Sequence, residues 1–508
     1  MAKTREVLIS LEQAPGEEIV ANDGVSFDNA DDAQHALDAA IYKIHTLQEE
    51  HKEACSELDQ AYTHLYYASA LRTAFSDPAQ NATLSEEAYR NCVAIYNGLF
   101  EGAPALPSLE SFHHEPVKTT SIATEELSTN LGRVARSAAE SVGRFKHSVE
   151  EFFKGHEDVC NRAIGVLAEA DRILDKGVKE PKVRKVSIAG AIYVSLQAGE
   201  RDYSFQQAVD LTDRNSKEYI DHFMPECVAY AHGMARAFEE ADLTKVRHRL
   251  GIDKAGFMKL AAPFAAVRPP ELSFCKHHGE KRWLFGLLRD DYKEVLYSDV
   301  FPGNTVVELV HPVGDLEKLL DREDAKGFYK NFGSWLSVDV GVRKIKAKRP
   351  KEGIVTDVPT PEKIRSDINR LRVLIKTIRT FSTKSDEYEH VVEETMDAFE
   401  KHVVNSLNTP GGLAAHAALG SLVAVGDVAN VAGMVMSAST LNPVPAMVGR
   451  GVDTVIDFTI VPLFVGFAHL ASTAGRVLTG AIVNIGGYYA TELRDLSSLT
   501  LRMAKQYS

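Results

Sequence analysis

The sequence predicts a mostly α fold of extended helical hairpins and a bundle, with a small antiparallel β insertion at about 270–345. Three observations predict it. Apolar side chains recur at steps of three and four on both sides of the insertion, the spacing that lines one face of a helix. Inside it, Glu294 to Val300 and Thr305 to Val310 are rich in Val, Leu and aromatics and flank a Pro302-Gly303-Asn304 turn, which reads as a hairpin. From Gly411 to Ala490 the chain becomes apolar and rich in Gly and Ala.

Composition sets the outer limits. The 508 residues give about three folding units at roughly 100–200 residues each. With 44% hydrophobic and 25% charged residues, the chain reads as globular and long enough to bury a core without metal or disulfides. Cys55, Cys92, Cys160, Cys227 and Cys275 lie far apart with no C-x-x-C pair. That argues against a disulfide framework or a zinc ribbon and fits a reducing compartment. A formal net charge of -14 gives no general attraction to DNA or anionic lipid, so such contact falls to local basic patches. Met1 to Ser10 carries charges and no apolar stretch, so no secretory signal is expected.

Residues 1–30 are polar and read as a flexible arm. Asp31 and Asp32 then place negative charge at a helix start, where the macrodipole favours it. Leu37, Ile41, Ile44, Gln48, His51, Cys55, Leu58, Tyr62 and Leu65 form a heptad-like seam with polar breaks at Gln48 and His51. A helical hairpin over 31–102 is expected, its second helix opened by Ser85, Glu86 and Glu87. Pro104, Pro107 and Pro116, with His113 and His114, mark a linker over 103–120. A helical domain follows over 121–265. Its clearest helix carries Leu127, Leu131, Val134, Ala138, Val142, Phe145, Val149 and Phe152 as one stripe. Burial against neighbouring helices is its expected use, and a membrane or partner surface is the alternative. Further helices are expected at Val159 to Leu174, Ile188 to Leu196, Phe205 to Leu211 and Tyr219 to Phe238.

The β insertion, over 266–350, adds Arg282 to Leu288 as a further strand-like run and ends in the one dense basic run. That run holds Arg343, Lys344, Lys346, Lys348, Arg349 and Lys351, and reads as a solvated loop or a phosphate contact. Thr360 caps a helix with Pro361 at its first position and Ile364, Ile368, Leu371, Leu374, Ile375 and Ile378 inward. Glu387 to Leu407 is expected as its antiparallel partner, making a hairpin over 360–410. In the tail, 411–508, the stretch Phe458 to Gly475 holds 18 residues without Asp, Glu, Lys or Arg, just the length of a membrane-spanning candidate. It contains Phe458, Pro462, Phe464 and Phe467, and Asp457 and Arg476 flank it closely. A buried helical hairpin is the expected reading, with a membrane segment as the alternative.

Motifs for common chemistries are missing: no G-x-x-x-x-G-K-[ST], no G-x-G-x-x-G after a strand, no H-E-x-x-H and no G-x-S-x-G. No catalytic residue, cofactor site or metal site is assigned, and the chain is not read as an enzyme. An unfamiliar site in the β insertion would draw on Cys275, His277, His278, Trp283 and Asp290, each of which has a plainer reading.

A family resemblance enters at the amphipathic helix. Ala123-Thr124-Glu125 opens the stretch EELSTNLGRVARSAAESVGRFKHSVEEFFKG, which begins at Glu125 itself. A helix with Arg162, Ala163, Val166 and Leu167 follows, then Lys185-Val186-Ser187-Ile188, and later the Pro302-Gly303-Asn304 turn. In pattern, over about residues 30–405, the chain resembles the internal virion proteins of phiKZ-like jumbo tailed bacteriophages. Its helix ends in Phe152-Phe153, where the family is often Trp-rich, and the tail after Gly411 has no counterpart.

The resemblance implies a virion structural protein of the capsid interior or inner body, assembled in the host cytoplasm. It implies maturation by a prohead protease that cuts after Glu in S/A/G-x-Glu, and ejection with the DNA. Glu110, Glu125 and Glu140 are the candidate processing sites; Ser10-Leu11-Glu12 and Ser85-Glu86-Glu87 share the pattern. Access favours Glu110 in the Pro-rich linker over Glu125 at a helix start and Glu140 inside a helix. The implied partners are other virion proteins or further copies, the protease, packaged DNA through basic patches, and a membrane during ejection. Two other readings stay open: a membrane-active or pore-forming protein using residues 411–490, and an enzyme with a site in the β insertion.

Overall fold

A computed structural model describes residues 27, 29–76, 89–90, 93, 96–97, 105–241, 254–270, 275–278, 293–312, 338–345, 354–399, 401 and 475–508. The fold is mostly α with small antiparallel sheets. Helix α1 (Ala30–Ser76) starts where Asn29 Oδ1 accepts from the amides of Asp31 and Asp32 at 2.9 and 3.0 Å. After the short α2 (Leu109–His114), α3 (Pro116–Leu174) runs back along it. At a rise of about 1.5 Å per residue these rods are roughly 70 and 90 Å long. Their antiparallel register is set by Glu57 with Arg144 at 2.7 Å, His51 with Ser148 at 2.8 Å, and Gly155 against Ile44 and Leu47. The seam expected in α1 is buried at Leu37, Ile41, Ile44, His51 and Leu58; the side chains of Tyr62 and Leu65 lie outside the description. On α3 the stripe is buried at Leu127, Phe145, Val149 and Phe152.

Several expectations need correction here. The linker expected over 103–120 is helical from Leu109, and α3 begins at Pro116, where proline's fixed φ suits the first helical position. The helices expected around 127–152 and 159–174 are one rod, because no proline or left-handed glycine interrupts 117–174. The helix expected from Ile188 starts later. Lys185–Ile188 is strand β1, alternating exposed and buried, and α4 covers only Gly190–Ser195. Strands β2 (Gln197–Ala198) and β3 (Arg201–Asp202) close a tight hairpin. Helix α5 (Phe205–Glu218) carries a full capping box between Ser204 and Gln207. A π-helical turn (Tyr219–Phe223) joins it to α6 (Met224–Glu240), and α7 (Lys254–Ala265) packs on α6.

The β insertion forms a four-stranded antiparallel sheet of β4 (Cys275–His278), β5 (Lys293–Ser298), β6 (Thr305–Pro312) and β7 (Asp339–Lys344), in chain order. The expected hairpin stands, with Phe301 and Thr305 bridged around Pro302-Gly303-Asn304. The Arg282 to Leu288 run lies outside the described residues. Strand β8 (Ile354–Asp357) pairs with β1 instead of joining this sheet.

Helix α8 (Pro361–Ser382) is capped by Thr360, as its sequence predicts, and buries Ile364, Ile368, Leu371, Leu374, Ile375 and Ile378 against α3 and α5. Helix α9 (Ser385–Phe399) does not lie back along α8. It packs on α6 and α3, anchored by Tyr388 near Phe153, Phe381 and the α8 end.

The chain's last described stretch is the strut of the core. Residues 475–480 are helical, Ala481–Ile485 make a second π-helical turn, and α10 spans Gly486–Ala504. Within α10 only Arg502 is exposed, and the helix as a whole touches α1, α3, α4, α5 and α8. Buried residues from Ala33 to Tyr507 form one contiguous cluster, so the segments set apart by sequence share a core. The two π turns meet: Tyr219 Oη of the first donates to the Ala481 carbonyl of the second at 3.0 Å. Gln48 of α1 donates to the Val483 carbonyl at 3.0 Å.

Removing the Tyr219 hydroxyl leaves a buried carbonyl short of a donor, so Tyr219→Phe is expected to cost about 1–3 kcal/mol. A lowered urea midpoint checks this; an unchanged one contradicts it. Burial also pulls the imidazoles of His51 and His156 down to about 4 from the ordinary 6.5. Each hydrogen-bonds a serine across the core, Ser148 and Ser382, at 2.8 Å. The unfolded chain therefore binds protons that the native one refuses. Stability present above about 6.5 falls as pH drops through 4, by about 3 kcal/mol per histidine. Urea midpoints against pH measure this, and His51→Gln with His156→Gln should flatten the acid limb.

Candidate functional site

The main polar centre of the core lies where α10 meets the β5–β6 hairpin tip. Glu492 and Asp495 stand three residues apart, hence on one face of α10. The tip and the end of α4 close that face. Backbone conformation makes the approach feasible: Gly303 sits at φ +78 and Asn304 at φ +50, both in the left-handed region. A Cβ on Gly303 would run into Glu492 Oε1. The tip is then tied down on all sides. Gly303 N donates to the Val194 carbonyl at 3.2 Å and Asn304 N to the Gln197 carbonyl at 3.2 Å. Gly199 N donates to Asn304 Oδ1 at 2.8 Å, and Tyr488 Oη donates to the Pro302 carbonyl at 3.1 Å.

Ser195 Oγ sits between the two carboxylates. It donates to Asp495 Oδ2 at 2.7 Å and lies 3.4 Å from Glu492 Oε1. Arg494 Nε is 2.9 Å from Asp495 Oδ1, close enough for charge attraction though not aligned as a hydrogen bond. Arg494 also reaches Asp38 of α1 at 3.5 Å. Glu492 Oε2 is buried with no hydrogen-bond partner. Burial first, and the Asp495 charge second, push the Glu492 carboxyl well above its usual range against Lys344, Ser195 and Arg494. Burial raises Asp495 too, and Arg494 opposes it most. With Glu492 at 2% and Asp495 at 3% exposure, the pair is sealed from any substrate. Through Ser195 the pair ties the end of α4 to α10 inside the core.

The residues singled out from sequence lie elsewhere. Arg343 and Lys344 are on β7: Arg343 stacks over the Tyr297 ring at 4.8 Å, and the Lys344 charge acts on the buried pair. Lys346, Lys348 and Arg349 fall outside the described residues, as do Phe458, Pro462, Phe464, Phe467, Trp283 and Asp290. Cys275 pairs with Ser298 in the β4–β5 register, and His277 Nε2 meets Asp299 Oδ1 at 2.7 Å on the surface. Among the described residues no three or more His, Cys, Asp or Glu converge to hold a metal. Burial pushes the Cys160 thiol up to about 12, which leaves little thiolate for nucleophilic chemistry.

The candidate processing residues are all exposed but all helical. Glu110 is in the first turn of α2, correcting its expected place in an open linker. Glu125 lies well inside α3 and not at a helix start, because the helix begins earlier at Pro116. Glu140 is inside α3 as expected. Of the tail read as a membrane alternative, the described part is core: Val477, Leu478, Ala481 and Ile482 are fully buried. Among the described residues no helix is long and apolar enough to cross a membrane. On the surface, α6 and the end of α7 frame an open groove of about 510 Å³, lined by Tyr230, Gly233, Arg236 and Arg268 among others.

Sequence reasoning missed Glu492 and Asp495. Leu493, Leu496, Leu499 and Leu501 mark a buried stripe, but Thr491, Arg494, Asp495, Ser498 and Arg502 share the opposite side and read as an ordinary polar face, so no local pattern marks the two acids as enclosed. Gly177→Ala and Gly303→Ala separate backbone strain from close approach, because Gly177 shares a positive φ of +74 but has nothing within 4 Å of its Cβ position. Gly177→Ala is expected to cost about 1 kcal/mol and Gly303→Ala about 2–4 kcal/mol, read from urea midpoints. Equal losses would contradict the packing of the tip on Glu492.

Comparison with protein-family models, curated protein sequences and solved structures returned no match.

Proposed function

We propose that the chain is a structural protein of a virion, packed inside the head, with no catalytic site of its own. One observation carries the structural part: rods of 47 and 59 residues run antiparallel along a buried seam, with a third helix enclosed in the same core. Such an architecture commits its side chains to holding shape over a long distance. The resemblance to phage internal virion proteins supplies the setting. Other virion proteins or further copies of the chain are the partners, and DNA contact is confined to basic positions such as Arg343 and Lys344.

Processing after Glu110, Glu125 or Glu140 belongs to this proposal, and the fold orders the sites. Glu110 sits in a six-residue helix capped by Ser108, which opens at less cost than the long α3. A cut there leaves α1 seated, since Leu37, Ile41, Ile44 and Leu47 are buried in the shared core. Both pieces are therefore expected to stay in the particle without a covalent link.

Mass spectrometry of purified particles tests the proposal. The expected result is this chain in the particle, starting after one of the three glutamates, with peptides of α1 retained. Absence from particles removes the virion role. Presence with an intact Met1 end removes processing alone.

A further inference from the structure

We propose that Glu492, Ser195 and Asp495 form a single proton-sharing clasp, with the proton on Glu492, and that loss of this proton unlatches the 301–305 hairpin tip from α10. The argument starts from proton counting. A serine hydroxyl has one proton to give. Ser195 spends it on Asp495 Oδ2, at 2.7 Å, so it has none left for Glu492 Oε1 at 3.4 Å. Ionised, Glu492 would then face the Ser195 lone pairs and the Asp495 charge with no donor on either oxygen, since Oε2 has no partner. As a neutral acid it instead donates to Ser195 Oγ, and the hydrogen bonds run in one direction: Glu492 to Ser195 to Asp495.

The surrounding charges decide which member is ionised. From α10 itself, Arg494 lies against Asp495 at 2.9 Å. From α1, Asp38 draws Arg494 at 3.5 Å, and His45 faces the same group of charges. From β7, Lys344 acts on both acids. The buried Tyr488 and Tyr489 add no cation. Among the described residues the one cation within ion-pairing distance thus serves Asp495, and Glu492 keeps the proton.

Glu492 is also the acid the hairpin tip leans on, since a Cβ at 303 would overlap its Oε1 and burial restricts where that carboxyl can move. An added charge there is screened by neither water nor a donor. The native chain holds this proton more tightly than the open one, so tip docking is strongest at low pH. It weakens as pH rises from the usual glutamate range to the raised native value.

Infrared spectra of the full chain and hydrogen exchange against pH test the clasp. At neutral pH the expected spectrum contains a neutral carboxylic-acid carbonyl band that Glu492→Gln removes and Asp495→Asn leaves. In the wild-type chain, exchange at Gly303, Asn304 and Ile345, whose amide donates to the Asn304 carbonyl at 2.9 Å, is expected to gain about tenfold in opening constant per pH unit beyond intrinsic base catalysis, while the α1–α3 seam does not. Glu492→Gln, which keeps a donor to Ser195, should abolish that slope. The proposal is overturned if the wild-type chain shows no neutral-acid band, if the band survives Glu492→Gln, or if the tip's slope matches that of the seam. Should Glu492→Gln not fold, the wild-type spectrum with Asp495→Asn and the wild-type exchange slopes still decide it.

Discussion

A helix enclosed by the rest of the chain must draw its polar partners from the protein, and α10 with the π turn before it obtains several of them from widely separated parts of the chain. Gln48 of α1 reaches the Val483 carbonyl, Tyr219 reaches the Ala481 carbonyl, and Ser195 of α4 reaches Asp495. Tyr488 in turn reaches out to the Pro302 carbonyl of the hairpin tip. An unsatisfied group at any of these places would cost about 1–3 kcal/mol. The rods, the middle helices and the sheet are therefore bound to one register around α10. The many ion pairs along α8, such as Arg372 with Asp171 at 2.7 Å and Arg370 with Asp210 at 2.6 Å, sit partly in solvent and add much less.

The same constraint explains what could be read from the sequence. The seam of α1, the stripe of α3, the Thr360-Pro361 helix start and the hairpin around Pro302-Gly303-Asn304 were legible, because each is a local pattern with a local cause. Gln48 and His51 looked like breaks in the seam. They are its cross-links, one to the π turn and one to Ser148, and their partners lie 435 and 97 residues away in sequence. No window of sequence holds both ends of such a contact. The sequence divides α3 into two expected helices for a related reason: their ends rest on composition, whereas nothing in 117–174 stops a helix. Glu492 and Asp495 were hidden among many acidic residues, since burial on all sides of a helix comes from neighbours that the helix does not encode.

Long buried seams and a sealed polar centre describe a molecule organised around holding its form. The acids at that centre are buried, and His51 and His156 in the rods are buried and bonded to serines, with burial disfavouring their charged forms. This is the physical content behind reading the chain as an assembly component. The proposed virion setting rests on the pattern likeness in the amphipathic helix and the following segments.

The claim that α10 is the strut of the whole core is tested most directly by native-state hydrogen exchange across a denaturant series. The account predicts that amides from Leu493 to Leu501 open only with global unfolding, in the same class as Phe152 to Val166 of α3. A set of α10 amides that opens at lower free energy, while the α1–α3 seam stays closed, would contradict it.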